Sequence, residues 1–262
     1  MTTNPPPGEE RTIVPRGRIL IDGAPISYII VMAAVVTALA FIPLSVMLGS
    51  GKPFPMSQSV YGLNGWMLGP LAGVLASAIG ALIGSFVAPH TAGAFWIVTI
   101  YGAAVASLAG GSMGLGGKRR FWWMAVAVLA VCSWFVYVGR MVLVNGVRPW
   151  VALATTFADW SAILLYISPV RGMIARWLKS EKTAYLSLGL MLGTWSAYGI
   201  SHVCNSAILN FVYNLPDSVW VTLIPIVPVE FLVRAVVGSV IGTGVIMGLR
   251  ALGLYKADHA GY

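Results

Sequence analysis

Trp195, Tyr198, His202 and Asn205 recur at three- and four-residue spacing within an uncharged apolar stretch. On a helix that spacing stacks two rings, an imidazole and an amide on one face. Such a face suits a flat small molecule with polar edges. The same groups can instead bond neighbouring helices as structural glue, and Asn210 and Asn214 continue the pattern toward the end of the stretch. Glu230 and Arg234 lie four apart in the last apolar stretch, where they can pair along one helix as simple neutralisation or as a ligand contact. Arg140 and Asp159 can pair between two stretches, or Arg140 can snorkel to a membrane surface. A charged side chain within lipid costs several kcal/mol unless paired or wetted, so each of these is a functional candidate.

Recognition fits this short inventory better than catalysis. Haem ligation needs paired histidines in apolar segments, and of the three histidines only His202 lies in one, His90 falling in a turn and His259 near the end. There is no His-Glu-x-x-His, no aspartate dyad and no nucleophile elbow. The glycine-rich run 110–117 ends in Lys118, but Arg119 stands where a phosphate loop needs Ser or Thr. The chain is therefore expected not to be an enzyme and to need neither metal nor cofactor.

The elements that must hold these residues are transmembrane helices. Of 262 residues, 58% are hydrophobic and 9% charged, against roughly 25% charged in soluble domains. Runs of about 20 apolar residues, the length that crosses a bilayer, occupy 27–48, 66–88, 94–113, 121–144, 150–168, 184–212 and 219–249. The expected fold is all-α, a polytopic transmembrane bundle of six or seven spans. Residues 1–25 read as a disordered, interfacial N-terminal tail without a secretory leader, 26–252 as one membrane domain and 253–262 as a C-terminal tail. Cys132 and Cys204 fall inside spans as small apolar side chains.

The formal charge of +8 resides mostly at span ends, which points to membrane orientation rather than nucleic acid. Lys118–Arg120, Arg171–Lys182 and Arg250–Lys256 are separated by two spans each, so all three fall on one side, read as cytoplasmic. Three candidate spans precede Lys118. Arg11, Arg16 and Arg18 then fall on the opposite side, unless an early segment is re-entrant or miscounted. The segment 171–179 reads as a short amphipathic anchor, and Trp122 and Trp123 mark the interface.

Small residues set the packing. Gly69, Gly73, Ala76, Gly80 and Gly84 form a smooth face that lets backbones approach closely in lipid. The polar loop 49–59, stiffened by Pro53 and Pro55, exceeds a minimal turn and carries Phe54. Phe54 is either a lid residue or lies at the headgroups.

The stretch 34–38, with Ala34 and Ala38, resembles the Ala-x-x-x-Ala signature of the substrate-binding S components of energy-coupling factor transporters. The loop with Pro53-Phe54-Pro55, the run 68–73 with Gly80 and Gly84, and 226–234 followed by Gly238 and Gly242 are similar to that family's first loop, second helix and last helix. The resemblance covers about two fifths of the chain, and 121–176 has no clear counterpart. It implies a multi-pass protein of the prokaryotic plasma membrane that captures a vitamin or related micronutrient. Its partners would be a transmembrane coupling protein and two cytoplasmic ATPases. Ala34 and Ala38 would contact the coupling protein, while Phe54, Trp195, Tyr198, His202, Asn205, Asn214 and Glu230 would meet substrate. A self-sufficient secondary transporter and a non-transport assembly subunit are the alternatives.

Overall fold

The computed structural model describes residues 19–46, 53–92 and 95–262. Arg11, Arg16 and Arg18, and residues 47–52 of the first long loop, lie outside them. The described chain is all-α apart from two small hairpins. Strands β1 (Leu20–Ile21) and β2 (Ala24–Pro25) pair ahead of α1 (Ile26–Ala40), and β3 (Pro43–Val46) pairs with β4 (Pro53–Pro55). A 3-10 turn over Met56–Ser59 leads into α2 (Tyr61–Leu68), α3 (Pro70–Val87), α4 (Trp96–Ser112) and α5 (Phe121–Leu143). Then come α6 (Pro149–Thr155), α7 (Phe157–Ile167), α8 (Val170–Leu178), α9 (Thr183–Leu209) and α10 (Asp217–Ala251).

Three helices, α3, α5 and α10, are long and apolar enough to cross a membrane, and α6 with α7 makes a fourth if that pair, bent by 62°, is one span. The chain is a membrane protein by this measure. Helices α1 and α4 are apolar but shorter. At 27 residues α9 has the length; its serines, tyrosines, His202 and Asn205 dilute its apolarity. The 35 residues of α10 reach ~52 Å at 1.5 Å per residue, more than a bilayer core. Pro225 and Pro228 interrupt its hydrogen bonding, which buried membrane helices tolerate.

Besides 150–168, which divides into α6 and α7, two expected spans are broken. The run 66–88 divides at Gly69, whose φ of +90° is open to glycine and strained for other residues. Pro70 starts the next helix there. The run 27–48 ends as helix at Ala40 and turns into β3. Gly110–Ser112 close α4, where Gly110 and Gly111 meet the backbones of Gly62 and Pro70.

Contacts sort the helix ends into two groups. At one end Asp22 receives Arg119 at 3.3 Å, faces His259 at 3.6 Å and accepts a hydrogen bond from Leu71 N in the first turn of α3. There too Arg171 donates to Met113 O, Arg250 donates to Ser180 O and Leu178 O, and Gly261 N donates to Trp66 O. The three basic clusters therefore share an end with β1–β2 and the C-terminal tail. Lys256 is held below the ordinary lysine pKa by burial first, then by Lys179 and Arg250. At the other end Thr91 donates to Ala40 O, Arg140 to Asn210 O, and Arg148 pairs with Asp217 at 2.7 Å. The chain leaves α1 at that second end and re-enters α3 at the first, so β4, the 3-10 turn and α2 carry it back across. This removes the charge-parity conflict: α1 starts at the basic end.

Every residue of α2 is buried. It lies against α3 and α4, where Asn64 donates to Ser77 at 2.9 Å and Gly65 sits on the backbone of Ser107 and Gly111. A Cβ at Gly65 would overlap that backbone, which has no rotamer with which to yield. Gly65→Ala is expected to lower thermal stability by at least ~1–3 kcal/mol, the usual cost of overpacking. Gly139→Ala on α5, where a Cβ meets open space, is expected to be neutral or up to ~1 kcal/mol stabilising. Unfolding midpoints of the two variants in one detergent check both.

Candidate ligand-binding site

A cavity of about 240 Å³ opens at the end opposite the basic clusters. Its walls come from the turn after β4, the start of α4, the last turns of α5 and α9, and the first half of α10. That puts it just below the ordinary ~300–1,000 Å³ range of ligand pockets.

Its inner polar edge consists of His202 and Asn205 on α9 and Glu230 on α10. His202 Nδ1 lies 2.7 Å from Asp159 Oδ1, and Asp159 is only 1% exposed. A carboxylate only accepts, so Nδ1–H donates and the ring is set with Nε2 as its remaining polar atom. Asn205 packs its amide against Gly102, and its Oδ1 is buried without a hydrogen-bond partner. Such an atom carries an unrecovered desolvation cost of about 1–3 kcal/mol.

Beneath this edge Arg234 is fully buried. It donates to Gln58 Oε1 at 3.1 Å, Ser45 Oγ at 2.8 Å and Glu230 O at 3.0 Å. Its guanidinium also faces Glu230 Oε2 at 3.6 Å and stands over the rings of Phe54 and Tyr198. The helical spacing of Glu230 and Arg234 brings them together as expected. Arg140 and Asp159 do not pair: Asp159 goes to His202, while Arg140 donates to Asn210 O and Asn214 Oδ1 and lies over Phe211.

Of the expected substrate residues, Phe54, Tyr198, His202, Asn205 and Glu230 line one cavity. Phe54 is half-buried against Arg234. Trp195 lies behind the wall, donating to Ser161 Oγ and packing edge-on to Phe231. Asn214 is exposed and holds Arg140. Asn210 lines the cavity, but its amide is spent on Asn145 and Tyr137 O. The rest of the wall is mixed, and its aromatic pairs were not anticipated: Phe95 pairs with Tyr213 and Tyr137 with Trp220, at centroid distances of 6.2 and 5.9 Å. Phe95 lies just before α4, Tyr137 on α5, Tyr213 in the turn after α9 and Trp220 on α10, so no local spacing announced them.

Ala34 and Ala38 are exposed on α1, while Met32, Ala33 and Val36 of the same helix are buried. The chain matches no protein-family model, no curated protein and no solved structure.

Arg234→Met is expected to cost ~3–5 kcal/mol, because it leaves Glu230 as an uncompensated charge. Adding Glu230→Gln should recover a large part of that loss. A double-mutant cycle of unfolding midpoints checks the coupling, and additive losses would show that the pair is not the stabilising unit.

Proposed function

We propose that this chain is the membrane-embedded capture subunit of an ATP-driven importer of the energy-coupling factor type, taking up a vitamin or related micronutrient. The observation that carries this reading is the cavity at the end away from the basic clusters. Basic clusters favour the cytoplasmic side, so the cavity faces the outside, where capture must occur. Its polar atoms are few and convergent within aromatic walls, as in small-molecule sites generally.

The structure's two-ended arrangement supports a multi-pass protein of the prokaryotic plasma membrane with both ends of the described chain inside. Both described ends at the basic end support an even number of passes within the six or seven spans read from apolar runs, of which three helices, or four with α6 and α7, have full spanning length and apolarity. Ala34 and Ala38 offer an exposed face smooth enough for a partner helix to approach closely. That face suits a transmembrane coupling protein, and two cytoplasmic ATPases would supply the energy. The chain's own part would be recognition, with no reaction catalysed and no cofactor required.

A second reading draws on two ion pairs buried around the cavity, Asp159–His202 and Glu230–Arg234. Intramembrane charges of this kind also serve proton-coupled secondary transporters.

Gentle purification from native membranes followed by mass spectrometry should recover a coupling protein and ATPases. Ala34→Trp or Ala38→Trp should abolish uptake while leaving ligand binding within about twofold, since these residues do not line the cavity. Proton-driven uptake by the purified chain alone in liposomes would replace this reading with the secondary transporter.

A further inference from the structure

We propose that the cavity selects a small aromatic cation carrying N–H donors, such as an amidinium or aminoheterocycle, over neutral or anionic ligands of the same shape. This rests on the capture reading above and names the chemistry of its cargo.

Charge at the site is the first argument. Two carboxylates, Asp159 and Glu230, meet one guanidinium, Arg234, and one imidazole, His202. The cluster carries one excess negative charge with the imidazole neutral and none with it protonated, and in either state Glu230 is the carboxylate that faces the cavity. Among the described residues the lining includes no lysine or arginine, and Arg234 is fully buried and already engaged by Gln58, Ser45 and Glu230. An anionic ligand would find no free lysine or arginine among them, and desolvating it there would cost several kcal/mol.

Unspent hydrogen-bonding capacity is the second. Two hydroxyls on the wall are committed: Thr91 donates to Ala40 O and Ser201 to Gly102 O. Glu230 lines the cavity and retains acceptor capacity beyond its contact with Arg234, and His202 Nε2 accepts when the ring is neutral. A carboxylate therefore anchors the inner edge, and N–H groups on a ligand complement it. A charged N–H donor to a carboxylate is the strongest such bond.

Ring faces are the third. Phe54 and Tyr198 already stack on Arg234, while Phe95 with Tyr213 and Tyr137 with Trp220 remain to flank a ligand. Desolvated aromatic faces attract cations, so walls and inner edge favour the same charge.

Benzamidine, benzamide and benzoate share a ring and nearly one shape while differing in charge, and they are the probes. Their binding to the full chain in lipid nanodiscs is read by calorimetry and tryptophan fluorescence. Benzamidinium should bind about tenfold or more tighter than benzamide, as one hydrogen bond to a charged group implies, and benzoate should bind weakest. Glu230→Gln should collapse the benzamidine-to-benzamide ratio toward one. Tyr213→Ala, which leaves the ion pairs intact, should weaken both probes and serves as the second variant if Glu230→Gln does not fold. Preference for benzoate or benzamide overturns the cation assignment while retaining a binding site. No saturable binding of any probe to folded protein overturns the assignment and the capture reading together.

Discussion

A guanidinium with no solvent exposure in the middle of an apolar bundle is the constraint around which this molecule is arranged. Arg234 cannot reach water, so protein groups must replace its hydration. They come from five places in the chain: Ser45 on β3, Gln58 in the 3-10 turn, Glu230 one helical turn earlier, and the ring faces of Phe54 on β4 and Tyr198 on α9. Satisfying one cation thus draws the first long connection down onto α10 and against α9. The cavity is the space left above that knot, and its inner floor is polar because the charge below it had to be paired.

The ends of the chain obey a related rule in a wetter setting. Asp22 has a positive φ of 50° and lies at the start of α3, where the helix dipole favours an anion. It also gathers Arg119 and His259 from distant elements. The β1–β2 hairpin and the C-terminal tail are thereby held to one face of the bundle, together with the basic clusters. The three basic clusters gather at that end, while the opposite end carries aromatic and amide groups with Arg140 and Arg148 tied to Asn210 O and Asp217. Orientation in the membrane and placement of the cavity follow from one charge distribution.

Close backbone approach does the remaining packing. Where Gly62, Gly65, Gly110 and Gly111 meet, α2 and α4 touch without side chains between them, which is how helices associate when lipid competes for every apolar surface. The short α2 is too short to span a bilayer alone. Its burial on all sides lets it cross part of the protein without facing lipid.

What the residues alone determined were the local relations. The Glu230–Arg234 pair follows from a spacing of four, and Tyr198, His202 and Asn205 share a helix face because 3.6 residues make a turn. Membrane character, the all-α class and the common end of three basic clusters follow from composition and the order of apolar runs. Tertiary structure decided what no local spacing encodes. Asp159 is 43 positions from His202, and nothing near either residue announces that Asp159 would choose an imidazole over Arg140. Phe95, Tyr137, Tyr213 and Trp220 become walls only because four helix ends converge. Trp195 has the right spacing, yet its indole is drawn to Ser161 behind the wall. Periodicity fixes which way a side chain leaves its helix, whereas the partner it meets depends on how all the helices pack.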